Sequence, residues 1–243
     1  MNILITGAAS RLGKAIVAEL EKDHKLRLLD SVFTDVHAEL LQGSILDPDT
    51  VWKAVRNIDA LIHTGELPQH LPEDELEKEQ FLLDLATRGT HILLKAAAEA
   101  GVKRFIYGST LEIFSAYPDD VYISELWKPL PTPEIHQMTR YLGELTCREF
   151  ARDHAVTVTA LRLGKLVMEE EVVNQQPDLM WVDLRDAAMA FRCALRRENS
   201  SAIHWARRFA VYHICADFAN PKYLVDQAAN IGYKPMHNFH NRL

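Results

Sequence analysis

A glycine-containing turn between an apolar strand and a helix constrains this chain more than any other feature. The segment "ITGAASRLG", Ile5 to Gly13, ends an apolar strand pattern and opens a helical one. Gly7 permits a tight turn, Gly13 permits close contact between helix and strand, and the backbone N–H groups between them favour an anion. We therefore expect the chain to begin with a strand-turn-helix unit that holds a phosphate group.

The acidic residue that ends the second strand extends this expectation. Asp30 closes "KLRLLD", where a carboxylate can accept both hydroxyls of an adenosine ribose and repel a 2′-phosphate. The pattern therefore predicts a dinucleotide, with NAD favoured over NADP. The alternative is that the glycines serve only the geometry of the turn. It is less favoured because the strand, the helix and Asp30 all occur at the spacing of a dinucleotide-binding unit.

Strand and helix patterns alternate along most of the chain. Short β-rich runs follow one another with helices between them, a rhythm that predicts an α/β fold with a Rossmann-like, doubly wound parallel sheet in three layers. Helices are expected from about Glu73 to Ala100, from about Glu134 to His154 and from about Leu184 to Arg197. We expect a single domain over residues 1–243, in which about 167–243 contribute a minimal C-terminal cap for the substrate.

Composition excludes several classes of function. The chain has a formal net charge of −7 and no basic blocks, which argues against a nucleic-acid surface. No apolar run approaches the ~18 residues of a membrane span. Its 3 cysteines form no CxxC pair, and the adjacent carboxylates Glu169 to Glu171 do not converge on one ion, so no metal is expected. We expect a cytoplasmic protein that binds a small molecule.

Several segments together resemble the extended short-chain dehydrogenase/reductase superfamily, in its NAD-dependent epimerase/dehydratase branch. They are "ITGAASRLG", "RGTHILLKAAAEAGVKRFIYGST", "TRYLGE" and "LRLGKLV". The short chain and its "IGYKP" ending look most like the uronate dehydrogenase group, which oxidises sugar acids with NAD. The resemblance implies a homodimer through the long helices. It also implies cofactor contacts from Gly7, Ser10, Arg11, Leu12, Gly13, Asp30, Ser44, Ile45, His63, Gly65 and Arg140.

The catalytic positions implied by the resemblance depart from the family pattern. Thr110 takes the hydroxyl position after the fifth strand, with a capping role as the alternative. "PEIHQMTRYLGE" places His136 and Arg140 where the family has tyrosine and lysine, and their spacing of four keeps both on one helix face. A neutral imidazole could accept a proton, but it ends about 2 Å short of a tyrosine hydroxyl. His136 without any role is the alternative.

Further departures fall on functional positions of the family. Ala86 replaces an active-site asparagine, and Ser44 replaces an acid that contacts adenine. Ser10 replaces the middle glycine, where a requirement for positive φ would cost about 1 kcal/mol and weaken binding. Two hypotheses follow. One is an NAD-dependent oxidoreductase or epimerase-like enzyme for a small sugar or sugar acid, with Thr110, His136 and Arg140 as catalytic residues. The other is a catalytically silent NAD-binding regulatory or interaction protein.

Overall fold

The computed structural model describes residues 1–32, 38–68, 70–173, 175–176 and 178–239. Within them, a 7-stranded sheet has the order β3-β2-β1-β4-β5-β6-β9, and every neighbouring pair is parallel. The strands are β1 Asn2–Thr6, β2 Lys25–Asp30, β3 Glu39–Gln42, β4 Ala60–His63, β5 Arg104–Thr110, β6 Thr157–Leu163 and β9 Phe209–Ile214.

Helices cover both faces of this sheet, so the predicted three-layer, doubly wound fold is confirmed. They are α1 Arg11–Leu20, α2 Pro48–Ala54, α3 Glu75–Asp84, α4 Thr90–Glu99, α5 Ile135–Asp153 and α6 Leu184–Ala194. α1 and α6 pack on one face around a core of aliphatic side chains, and α2, α4 and α5 pack on the other. The chain places β2 and β3 on one side of β1 and β4 on the other, which leaves a crevice at the carboxyl ends of the strands.

The predicted long helix before β5 contains one irregular turn. The Asp74 side chain caps its start by accepting from the backbone N–H of Glu77 at 3.0 Å. α3 then passes through a π-helical segment, Leu85–Gly89, before α4 continues to Glu99. Inserted π turns are frequent at functional sites, and this one faces the crevice.

The C-terminal third contributes to the central layers as well as to their edge. α6 packs against α1, and β9 pairs with β6. The short strands β7 Lys165–Val167 and β8 Trp181–Asp183, which the sequence pattern did not predict, form a separate parallel pair. A short 3₁₀ turn at Glu169–Val172 lies between these two strands, others follow at Trp205–Arg207 and Asp226–Ile231, and another precedes α5 at Leu111–Phe114.

Candidate functional site

The loop between β1 and α1 has the geometry that its glycines predict. Gly7 has φ +71°, and a Cβ there would lie 2.2 Å from Thr64 Oγ1, so neither the turn nor the neighbouring strand tolerates a side chain. A Cβ on Gly13 would lie 2.3 Å from the Gly7 carbonyl oxygen. Gly7 is required by its positive φ and by the close Thr64 side chain, and Gly13 is required by close approach of backbone to backbone.

The expected strain at Ser10 is wrong. Its φ is −65°, an ordinary value, because Ser10 is the N-cap of α1. Its Oγ accepts from the backbone N–H of Gly13 at 2.9 Å and donates to the Gly7 carbonyl at 2.7 Å. A glycine at this position would have no side chain to cap the helix, whereas the Ser10 hydroxyl caps it and fixes its start.

Asp30 lies beside this loop, as the motif predicts. Its Oδ2 accepts from the backbone N–H of Ala9 at 2.9 Å, and its Oδ1 accepts from that of Ser31 at 2.7 Å. Two amides from different segments therefore hold the carboxylate in one orientation at the end of β2.

A cavity of about 310 Å³ runs along the carboxyl ends of the strands. Eight of the residues predicted to contact a cofactor line it: Gly7, Ser10, Asp30, Ser44, Ile45, His63, Gly65 and Arg140. Three others lie apart from its described lining. Leu12 is buried in the core, Gly13 packs against the Gly7 carbonyl, and Arg11 is half exposed and forms a 2.6 Å ion pair with Glu171. Ala86, at the position of the family's asparagine, lines the cavity from the π segment.

Arg140 is buried at the wall of this cavity and is held by three acceptors. Its Nη1 donates to the carbonyl oxygens of Thr64 and Gly108, each at 3.3 Å, and its Nη2 pairs with Glu66 Oε1 at 3.2 Å. Gly65, with φ +67°, allows this arrangement, since a Cβ there would lie 2.0 Å from Arg140 Nη1. The guanidinium thus joins the ends of β4 and β5.

His63 is buried near the positive charge of Arg140. Its Nδ1 lies 2.7 Å from Thr6 Oγ1, and its ring packs against Tyr107 with centroids 5.6 Å apart. Burial, with the nearby Arg140 charge, lowers the pKa of His63 to about 3. The ring is therefore neutral at physiological pH.

Thr110 and His136 are each linked to Glu112, and none of these three residues is in the described lining of the cavity. Thr110 Oγ1 accepts from the backbone N–H of Glu112 at 3.2 Å, which leaves the hydroxyl hydrogen for donation. His136 Nε2 lies 3.5 Å from Glu112 Oε2. Burial lowers the pKa of His136 to about 4, and Arg140 adds to this effect while Glu66 opposes it. The sequence predicted Thr110 and His136 here but not Glu112.

Two of these residues carry their own sequence signals. Glu66 comes three residues after the end of β4 and directly after the cavity-lining Gly65, and Glu112 comes two residues after Thr110. Both are acidic residues at the carboxyl ends of parallel strands, where ligands bind in folds of this type. That position could have marked them as candidates.

The described residues contain no group of three or more His, Cys, Asp or Glu side chains that could hold a metal ion. Over the same residues, no helix combines the length and apolarity needed to cross a membrane.

Residues 3–180 match the sequence profile of the NAD dependent epimerase/dehydratase family. The chain belongs to this family. Among its relatives is the NAD-dependent glucose-6-phosphate dehydrogenase of Haloferax volcanii, 25% identical, with 97% of this chain and 93% of the relative covered. The uronate dehydrogenase of Pseudomonas syringae pv. tomato is 24% identical over 86% of this chain and 78% of its own length.

Solved structures share the fold of this family member. A short-chain dehydrogenase/reductase superfamily protein from Agrobacterium tumefaciens, solved with bound NAD, superposes with a TM-score of 0.80 at 18% identity. The match covers 100% of this chain and 95% of that one. Glucuronic acid dehydrogenase from Chromohalobacter salexigens gives a TM-score of 0.76 at 20% identity, over 99% and 86% of the two chains. At these identities the likeness supports the fold alone.

Proposed function

We propose that this chain binds NAD at the carboxyl ends of its strands and oxidises a hydroxyl of a small sugar or sugar acid. The observation that carries the proposal is a single cavity that contains the Gly7 to Ser10 loop, Asp30 and Arg140. The curated relatives that act with NAD on glucose 6-phosphate or that are named for uronates support the choice of cofactor and substrate class.

Asp30 supports NAD over NADP. Backbone amides fix its carboxylate at the end of β2, where it can accept two ribose hydroxyls. A 2′-phosphate in the same place would bring a second negative charge within a few ångströms of an oriented anion. The helix N-terminus behind Ser10 favours the negative charge of a pyrophosphate.

His136 supplies the proton acceptor in this proposal. NAD, when bound, supplies the hydride acceptor for the carbon that carries the hydroxyl. Thr110 donates a hydrogen bond to the substrate oxygen, and the neutral His136 ring takes the proton of the substrate hydroxyl through a bridging water, because an imidazole ends about 2 Å short of a tyrosine hydroxyl. Glu112 Oε2 lies 3.5 Å from Nε2 and can accept from an Nε2–H, which leaves Nδ1 as the accepting atom.

The test is oxidation of a panel of uronates and aldoses, followed by absorbance of NADH. We expect turnover that falls at least 100-fold in His136→Ala, because general-base catalysis contributes about 10²- to 10⁴-fold. The double substitution His136→Tyr with Arg140→Lys restores the family pair and should raise activity. Turnover that is unchanged in His136→Ala would refute the assigned role.

A second candidate is a catalytically silent NAD-binding protein. It is favoured by the three acceptors that hold Arg140, because a guanidinium engaged with Thr64, Gly108 and Glu66 is less available to a cofactor. NAD binding without NADH formation on any sugar or sugar acid would select this candidate.

A homodimer and a cytoplasmic location remain predictions. A stable monomer in sedimentation would contradict the homodimer.

A further inference from the structure

Glu66 stands out because it faces the cavity. Its side chain is 28% exposed and lines the cavity, and Oε1 contacts Arg140 Nη2 at 3.2 Å. Arg140 is itself anchored to two backbone carbonyls. The guanidinium therefore orients the Glu66 carboxylate. A carboxylate offers about four acceptor sites, and the contact with Arg140 uses one of them.

The strand order places Glu66 and Asp30 on opposite sides of β1. Asp30 ends β2, and Glu66 follows β4 by three residues; these two strands flank β1 in the sheet. The phosphate loop begins at Gly7 after β1 and so lies between the two carboxylates. In doubly wound folds a dinucleotide crosses the sheet at this reversal of strand order, with one nucleoside on each side.

We propose that Glu66 accepts the hydroxyls of the second ribose of a dinucleotide, as Asp30 accepts those of the first. This inference rests on the proposed binding of NAD. A vicinal diol presents two O–H donors, which suit a fixed carboxylate better than a guanidinium that has no acceptor. Arg140 then acts as a positioning residue that holds Glu66, and it does not itself bind the ribose. The two carboxylates select ligands that carry a ribose at both ends of a diphosphate.

The experiment compares ADP with ADP-ribose by calorimetric titration, because the two ligands share the adenosine diphosphate and differ in the terminal ribose. Wild type should bind ADP-ribose more tightly than ADP. Glu66→Ala should lower the affinity for ADP-ribose about 10- to 100-fold, as expected for lost hydrogen bonds to a charged acceptor. It should leave the affinity for ADP within twofold of wild type. Asp30→Asn should weaken both ligands.

Two further variants guard against indirect effects. Glu66→Gln keeps an acceptor for Arg140 without the negative charge, and it should weaken ADP-ribose while the thermal midpoint stays near that of wild type. Glu73→Ala removes an exposed carboxylate from the same loop and should change neither affinity.

Three results would overturn the inference. Equal losses for ADP and ADP-ribose in Glu66→Ala would show that Glu66 acts on the loop as a whole. An unchanged affinity for ADP-ribose would show that the ion pair is only structural. If wild type bound neither ligand, the proposed NAD function would fail first and this inference with it, a pattern distinct from the other two.

Discussion

Two buried histidines predict that the protein loses stability in weak acid. His213 is completely buried, and its ring nitrogens form no well-aligned hydrogen bond with the residues that the structure describes, although the backbone of Ile123 and Leu224 lies beside the ring. Burial, with the nearby Arg162 charge, lowers the pKa of His213 to about 3, and His63 reaches about 3 by burial and Arg140. Both rings must charge on acid unfolding, since an unfolded histidine has a pKa of about 6.5.

The size of the loss follows from linkage. A native pKa below the unfolded value means that the unfolded state binds more protons, so stability falls as pH decreases from about 6.5 toward 3. At pH 5 both native rings are neutral, and each unfolded ring is almost fully charged. Integration from pH 8 to pH 5 gives a loss of about 2 kcal/mol per histidine.

The variant His213→Phe removes the contribution of one of the two histidines to the loss of stability in acid. Phenylalanine keeps the aromatic contacts with Phe114 and Tyr223, whose centroids lie 5.5 and 6.3 Å from that of His213. Urea unfolding at pH 8 and pH 5 should show an acid loss about 2 kcal/mol smaller in His213→Phe than in wild type. His204→Gln, at an exposed histidine, should match wild type. An acid loss in His213→Phe equal to that of wild type would refute the reasoning.

Three further predictions concern the site itself. Gly65→Ala combines a left-handed φ with a clash against Arg140, so it should lower the free energy of unfolding by about 2 kcal/mol or more in urea titration. Ser10→Ala should cost about 1 kcal/mol by loss of the helix cap, and Ser10→Gly only a few tenths; equal costs would contradict the capping role. NMR should find a neutral His136 ring at pH 5.5, and Arg140→Met should raise the pKa of that ring. A charged ring at pH 5.5 in wild type would refute the lowering of its pKa by burial and Arg140.

The fold was predictable because its signals are local. Apolar strands, helix periods and the glycines of the first turn each lie within a few residues, and together they specify a parallel sheet with helices on both faces. Asp30 was predictable for the same reason, because the end of a strand fixes where its side chain lies. The π segment was not, since its helix carries an ordinary sequence pattern.

The chemistry of the site was less predictable because it depends on contacts between distant residues. Glu66 and Arg140 are 74 positions apart, and only the folded chain brings them to 3.2 Å. The pKa of His136, expected near neutrality for an isolated ring, falls through burial and the charge of Arg140. Ser10 was misjudged because a residue type at a glycine position does not reveal whether φ there is positive.

The central claim is that NAD binds in the cavity that begins at Asp30, and calorimetric titration of NAD and NADP into wild type and Asp30→Ala tests it most directly. The account predicts that wild type binds NAD more tightly than NADP, and that Asp30→Ala loses about 10-fold or more of the affinity for NAD through its ribose hydrogen bonds. No binding of NAD at millimolar concentration, or an NAD affinity that is unchanged in Asp30→Ala, would contradict it.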